Sequence, residues 1–235
     1  MILDPARTIV HLDLDCFFVA VSRWMNPALN ERPVLIGGSS DRGVVAACSY
    51  ETRKFGIHSA MPMKLARRLC PEALIVQGDY EMYTKKSDEV TEIISEYAPV
   101  YEKSSIDEFY IDVTGMDRFF GCYKWAIELW EKVRNETGLP SSFGLSVNKT
   151  VSKVATDYIK PNSNKKVDRG TEKEFLAPMS VNKIPMVGEK TYQTLRQMGI
   201  EKIYTLQQMP AELMGDVLGE NGITIWQKAN AIANQ

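Results

Sequence analysis

Two pairs of carboxylates follow strand-like apolar runs and could support metal chemistry. Asp13 and Asp15 end an alternating segment that begins at Thr8, and a second alternating segment follows Asp107 and Glu108. Residues two apart on a strand share a face, whereas adjacent residues point to opposite faces. Asp107 and Glu108 can therefore reach one site only where the strand end twists or turns. Because carboxylates in apolar strands are costly without compensation, we expect a cation or a donor beside them.

Mg²⁺ is the natural cation for such a site. It is a hard ion that prefers oxygen ligands, and a few protein carboxylates together with phosphate oxygens satisfy it. Two such ions, about 3.5–4 Å apart, can activate a hydroxyl group and stabilise a leaving pyrophosphate.

Two alternative interpretations of these acids remain open. The first is that they are solvated residues at strand ends. The second is a haloacid-dehalogenase-like phosphatase, in which the first Asp of an Asp-x-Asp motif is the nucleophile and the second is the acid and base. That motif expects Thr or Val two residues after the second Asp, where this sequence has Phe17. It also gives Asp107 and Glu108 no role.

The elements that must position the acids follow an α+β order. After the first strand and an insertion come a helix, two strands, a helix, a strand and another helix. This order fits a split β-α-β-β-α-β sheet with helices on one face. After the strand from Thr8, the predicted segments are a helix at Glu81–Tyr97, a β unit at Val100–Val113, a helix at Trp125–Val133, a strand at Ser141–Val147 and a helix at Lys149–Tyr158.

The insertion and the C-terminal part have patterns of their own. Pro33–Ile36 and Val44–Cys48 flank a glycine-rich turn, which predicts a β-hairpin, and Met63–Cys70 reads as a short helix. A polar stretch covers residues 162–166. From Val181 onward the pattern is small and helical.

Composition is that of an ordinary globular protein. The 235 residues are 44% hydrophobic and 25% charged, and no apolar run is long enough to span a membrane. The acidic N-terminus does not resemble a signal peptide. The four cysteines have no C-x-x-C spacing, so we expect reduced thiols in a cytoplasmic protein. The net charge of −2 argues mildly against nucleic-acid binding.

Longer segments around the acids form an ordered set of motifs. They are H-L-D-L-D-C-F-F-V-A-V from His11, N-P-A-L from Asn26, the stretch from Gly43 to Ile57, S-I-D-E-F-Y-I-D-V from Ser105, and the helix and K-P-N turn that end at Asn162. This ordered set covers nearly the whole chain. It resembles the Y-family translesion DNA polymerases, and bacterial DNA polymerase IV most of all.

The resemblance implies a division into domains. A ferredoxin-like palm would comprise residues 1–24 and 79–171, a small α/β fingers insertion residues 25–78, and a helical thumb with a helix-hairpin-helix residues 172–235. Family members normally continue into a basic little-finger domain that grips DNA. We expect that domain to be missing here, either by truncation or in a shortened homologue. Its absence would explain the acidic balance and predicts weak, salt-sensitive DNA binding. A sliding clamp would bind only through that missing part.

The resemblance also implies roles for the acids in adding deoxynucleotides to a primer with pyrophosphate release. Asp13 and Asp107 would bind two Mg²⁺ ions, with Mn²⁺ as the alternative ion, and the Leu14 carbonyl would bind the nucleotide-bound metal. Glu108 would bind the catalytic metal near the primer 3′-hydroxyl. Asp15 is not a standard ligand, so we expect a supporting role for it. A catalytically silent DNA-binding relative is the other hypothesis, and the intact acids argue against it.

Further residues match substrate contacts of the family. Tyr50, Arg53 and Lys160 would bind the triphosphate of a deoxynucleoside triphosphate; a guanidinium fork, an ammonium and a hydroxyl all suit phosphate. Phe18 would be the steric gate that excludes a ribose 2′-hydroxyl. Phe17 lies beside it in the nucleotide site or in the core.

DNA contacts complete the expected set. Ala47 and Ser49 would face the nascent base pair, where small residues tolerate distorted template bases. Gly188 and Lys190 would contact the primer–template duplex from the thumb hairpin. Met186 replaces a glycine that the family usually has in this hairpin. We expect a monomer with no membrane association.

Overall fold

The computed structural model describes residues 7–116 and 121–232. Its strands are β1 (Ile9–Leu14), β2 (Val34–Ile36), β3 (Ala47–Cys48), β4 (Leu74–Val76), β5 (Val100–Lys103), β6 (Glu108–Asp112), β7 (Ser141–Ser146) and β8 (Asn164–Lys166). Its α-helices are α1 (Phe17–Met25), α2 (Tyr50–Arg53), α3 (Met63–Leu69), α4 (Tyr80–Tyr97), α5 (Cys122–Thr137), α6 (Lys149–Ile159), α7 (Glu172–Leu176), α8 (Glu189–Gln197), α9 (Ile203–Gln208), α10 (Ala211–Leu218) and α11 (Glu220–Ala229).

A five-stranded sheet in the order β5-β6-β1-β7-β8 forms the largest unit. β1 lies at its centre and pairs antiparallel with both β6 and β7. The order of β5, β6, β1 and β7 is that of a split β-α-β-β-α-β unit, so the predicted α+β class and palm-like sheet are confirmed. β8, which pairs parallel with β7, was not predicted; the sequence there indicated only a polar stretch.

Helices α4 and α5 cover one face of this sheet. Val90, Ile93 and Ile94 of α4 recur at helical spacing and are buried against the sheet. On α5, Leu129 and Val133 lie one turn apart in the same core. This apolar layer fixes the sheet that carries the acids, because burial of such side chains is the main source of stability.

The two helices of the split unit, α4 and α5, thus lie on one face, as expected, and helix α6, which follows β7, covers the opposite face. Ser152 Oγ of α6 donates to the carbonyl oxygen of Ile9 at 2.8 Å. Close approach is possible because Gly144 of β7 has no side chain: a Cβ there would lie 2.2 Å from the Ser152 carbonyl oxygen. Because β1 is buried on both faces, its sequence pattern did not show where α6 packs.

The insertion after α1 folds around a second sheet in the order β3-β2-β4. Leu35 pairs with Cys48 in an antiparallel register, which confirms the predicted hairpin. β4 pairs parallel with β2 and was not predicted. Helix α3 ends at Leu69, close to the expected position.

Residues 172–232 are mainly helical, as predicted, and their apolar side chains share one core with Val151 and Val154 of α6. Leu195, Ile203, Met214 and Ile225 are buried in it. Among the helices that the structure describes, none is long and apolar enough to cross a bilayer.

Candidate metal and nucleotide site

Two acids and a histidine meet at the end of β1. Asp13 lies directly opposite Glu108 of β6, so their side chains share a face of the sheet. His11, two residues before Asp13, shares that face. Potential ligand atoms of these three side chains lie within 4.8 Å of one another. Asp13 is only 5% exposed.

Asp107 lies just outside this group, in the bend before β6. Its carbonyl oxygen accepts a hydrogen bond from the Leu14 amide at 3.0 Å, and Ser105 Oγ donates to its Oδ1 at 2.7 Å. Because β6 begins at Glu108, Asp107 lies outside the strand and its side chain need not point to the opposite face. The sequence required such a turn if both acids were to reach one site. The charge of Asp107 still acts on Asp13, whose pKa it helps to raise.

Lys153 of α6 and Lys160, the residue that follows α6, neutralise the acids. Lys160 Nζ lies 2.7 Å from Asp13 Oδ1, and Lys153 Nζ lies 2.5 Å from Glu108 Oε1. Burial raises the pKa of Asp13 to about 7, although Lys160 acts in the opposite direction. The contact with His11 and the ion pair with Lys153 lower the pKa of Glu108 to about 2. The Glu108 carboxylate is therefore negatively charged. A further cation beside Asp13 would stabilise the charged form of its carboxylate.

The buried imidazole of His11 lies beside the acids, with one ring nitrogen towards Glu108. Thr156 Oγ1 lies 3.0 Å from the His11 carbonyl oxygen, 2.9 Å from that of Ser152 and 2.8 Å from His11 Nδ1, so Thr156 fixes the orientation of the ring. Burial lowers the pKa of His11 and keeps the ring neutral. Its Nε2 has no hydrogen-bond partner and lies 3.8 Å from Glu108 Oε2.

These residues fit a divalent cation. A buried ring nitrogen without a hydrogen-bond partner meets the oxygens of two carboxylates, and potential ligand atoms of the three side chains lie within 4.8 Å of one another. Carboxylate oxygens suit Mg²⁺ and Mn²⁺, and an imidazole nitrogen nearby suits Mn²⁺ better than Mg²⁺.

Asp15 lies next to the metal-site acids, and its carboxylate is held by hydrogen bonds. Its carboxylate accepts hydrogen bonds from Ser142 Oγ at 3.0 and 2.9 Å and from the Asn162 amide at 2.6 Å. The Asn162 bond fixes the turn that follows Lys160, whose ammonium binds Asp13. Asp15 thus connects β1 to that turn, which agrees with the supporting role expected of it.

The two phenylalanines after the acids differ in exposure. Phe17 is 2% exposed and belongs to the core of the large sheet. Phe18 is half-buried and packs against Tyr83 and Tyr80, with ring centroids 4.6 and 6.5 Å away. Of the two rings, Phe18 therefore offers a surface to a ligand.

Tyr50 and Arg53 lie together on the short helix α2. The Arg53 guanidinium carbon stands 4.9 Å from the centroid of the Tyr50 ring. Arg53 is exposed, and Tyr50 is half-buried. Burial raises the pKa of Tyr50, so its hydroxyl keeps its proton. A guanidinium and a phenolic donor side by side can bind phosphate oxygens.

The small residues before α2 are not equally accessible. Ser49 is fully buried: its Oγ accepts hydrogen bonds from the amides of Val34 and Thr52 and caps α2. Its side chain has no free surface for a base pair. Ala47 is half-buried and Ala46 is exposed, so these two residues could face a ligand.

The hairpin before α8 presents backbone to solvent. Met186 adopts a φ of 83°, in the left-handed region where glycine is favoured, and is 58% exposed. Met186 therefore has a backbone conformation that glycine usually adopts, although it carries a side chain. Gly188 is the N-cap of α8 with no side-chain cap, and both Gly188 and Lys190 are exposed.

Sequence reasoning gave no role to His11, Lys153 or Asp157. Asp157 lies 3.4 Å from Lys160 and shares that lysine with Asp13. A helical repeat would have indicated Lys153 and Asp157, because they and Lys160, the residue after α6, recur every three to four residues and so lie on one side.

Comparisons with known proteins agree on one family. Residues 12–157 match the family described as impB/mucB/samB. DNA polymerase IV of Dehalococcoides mccartyi is 38% identical over 231 residues, which are 97% of this chain and 59% of the relative. DNA polymerase IV of Streptococcus pyogenes is 39% identical over 242 residues, covering 100% of this chain and 66% of the relative. The chain thus spans less than two thirds of the length of these curated relatives.

Solved structures show the same fold. DinB from Sulfolobus solfataricus superposes with a TM-score of 0.89 at 24% identity, over 97% of this chain and 68% of that one. A structure titled as the insertion ternary complex of Dbh DNA polymerase superposes with a TM-score of 0.87 at 25% identity, over the same shares of the two chains.

Proposed function

The chain belongs to the impB/mucB/samB family, and we propose that it is the core of a template-directed, low-fidelity translesion DNA polymerase. The observation that carries the proposal is the pairing of Asp13 with Glu108 across two central strands, with Asp107 at the adjoining strand end and the Lys160 ammonium on Asp13. Such a cluster beside cationic groups suits nucleotidyl transfer, in which charge neutralisation and positioning do most of the catalysis.

Relatives support this reaction over the alternatives. Both curated relatives are named DNA polymerase IV, and the Dbh structure is titled as an insertion ternary complex. The phosphatase hypothesis needs Asp15 as a free acid and base, whereas Ser142 and Asn162 hold its carboxylate by hydrogen bonds. A DNA-binding relative without catalytic activity would have no need of Asp13, Asp107 and Glu108 together.

The metal site follows from the acids. When bound, two Mg²⁺ ions, with Mn²⁺ as the alternative, would neutralise the triphosphate and activate the primer 3′-hydroxyl. Asp13 and Asp107 would hold both ions, the Leu14 carbonyl the nucleotide-bound ion, and Glu108 the ion nearest the primer.

The remaining residues bind and select the nucleotide. Tyr50, Arg53 and Lys160 would hold the triphosphate in line for attack on its α-phosphate. Phe18 would lie under the sugar and exclude a 2′-hydroxyl. Ala47 would contact the nascent base pair; for Ser49 only the backbone is available, because its side chain is buried.

Primer–template DNA and deoxynucleoside triphosphates are the proposed partners of a monomeric chain. We assign the palm to residues 1–24 and 79–171, the fingers to 25–78 and the thumb to 172–235. Gly188 and Lys190 would contact the duplex, because exposed amides at a helix N-terminus and an ammonium both suit phosphate.

Primer extension tests the proposal. The purified chain, Mg²⁺ and a labelled primer–template should extend the primer by one residue with the deoxynucleotide that matches the template, and much less with the other three. Hydrolysis of p-nitrophenyl phosphate without extension would support the phosphatase instead. Binding of the duplex without extension under Mg²⁺ or Mn²⁺ would support the silent relative.

A further inference from the structure

Helix α6 and Lys160, the residue after it, carry a row of lysines that matches a row of acids on the sheet. The ion pairs are Lys149 with Glu102 of β5 at 2.6 Å, Lys153 with Glu108 of β6 at 2.5 Å, and Lys160 with Asp13 of β1 at 2.7 Å. Lys160 already has a role in the proposed function. Lys149 lies at the edge, where both partners are exposed. Lys153 reaches a proposed metal ligand and has no role yet.

Among the described residues, Lys153 makes the shortest side-chain contact with the Glu108 carboxylate. Its ammonium binds Glu108 Oε1. The other oxygen, Oε2, faces His11 Nε2 at 3.8 Å, which is too long for a hydrogen bond. Both charged side chains keep about a quarter of their surface exposed, at 23% for the lysine and 24% for the glutamate. The ion pair is therefore accessible to an incoming cation.

We infer, building on the proposed function, that Lys153 is a positioning residue of the metal site. Its ammonium holds the Glu108 carboxylate beside His11 until a divalent cation binds that carboxylate. An ammonium and a divalent cation compete for the same oxygen lone pairs, so both cannot fully occupy Oε1. The long stem of Lys153 lets the ammonium withdraw while α6 stays in place.

Removal of the Lys153 ammonium should have two opposite effects, one on metal affinity and one on turnover. Without the ammonium the metal has no competitor, so a divalent cation binds the free protein more tightly. Without the ammonium the carboxylate also samples other rotamers, so fewer molecules present Glu108 correctly and turnover falls. A lysine that merely stabilised the fold would weaken metal binding and turnover together.

Manganese binding to the free protein provides the test. Mn²⁺ alone is titrated into the full chain, without DNA or nucleotide, and the free ion is measured by electron paramagnetic resonance. Lys153→Met should lower the dissociation constant about tenfold, which corresponds to 1.4 kcal/mol, and should lower the turnover of primer extension about tenfold. Lys153→Arg keeps a cation on Glu108 and should restore both values towards wild type.

The matched control is Lys149→Met, which removes an ion pair of the same kind from the same helix. Glu102 lies outside the proposed site, so this variant should keep wild-type Mn²⁺ affinity and turnover. Unchanged or weaker Mn²⁺ binding by Lys153→Met, the same effect from Lys149→Met, or no Mn²⁺ binding by any form would overturn the inference. Primer extension by the wild-type chain reports separately on the proposed polymerase activity.

Discussion

Gly144→Ala tests the packing that positions the site. An alanine Cβ would lie 2.2 Å from the Ser152 carbonyl oxygen and 2.8 Å from the Thr156 amide, both backbone atoms of α6. Since Cβ atoms essentially never come closer than 3.0 Å to a non-bonded heavy atom, the helix must withdraw by about 0.8 Å. Overpacking of this size costs about 3 kcal/mol of unfolding free energy. In a protein of this length that lowers the melting temperature by about 6–12 °C.

The shift should also lower turnover, because α6 carries Lys153 and the residues that lead to Lys160. We expect primer extension to slow by about tenfold or more. Thermal unfolding followed by circular dichroism measures the first effect, and single-turnover extension measures the second. Gly38→Ala is the control, because a Cβ at Gly38 meets nothing within 4 Å. A Gly144→Ala protein that melts within about 1 °C of wild type would refute the described contact between α6 and the sheet.

Three further predictions concern the substrate and the metal. Asp15→Ala frees the turn after Lys160, so KM for the deoxynucleotide should rise about tenfold in steady-state kinetics; an unchanged KM would contradict the bracing role. Phe18→Ala should reduce selectivity for deoxynucleotides over ribonucleotides about tenfold or more in competition assays, and unchanged sugar selectivity would remove the gate assignment. Mn²⁺ should support extension at about tenfold lower concentration than Mg²⁺, because His11 adds a nitrogen donor near the acids; equal requirements would argue against that donor.

The sequence predicted the scaffold of the site well. The alternation that ends at Asp13 and resumes at Glu108 placed two acids at neighbouring strand ends, and the structure pairs them directly. The turn before Glu108 was also expected, because adjacent strand residues cannot share a face. These features are local, so residue type and periodicity suffice to predict them.

Features that depend on packing across the sheet were not predictable. Lys153 meets Glu108 across 45 residues of sequence, and the buried state of His11 depends on α6 lying over β1. The sequence pattern of β1 cannot show which helix covers which face, because the strand is buried on both faces. Ser49 was expected to face a base pair, yet its hydroxyl is used by the backbone as a helix cap.

Pyrophosphate release coupled to single-nucleotide primer extension tests the proposed chemistry most directly. Wild-type chain, Asp107→Ala and Glu108→Ala are compared with Mg²⁺, a matched deoxynucleotide and one primer–template, after circular dichroism has verified that all three proteins are folded. We predict one pyrophosphate per nucleotide added by wild type, and loss of both products in the two variants. Extension that persists in both folded variants would contradict the assignment of these acids as the catalytic metal ligands.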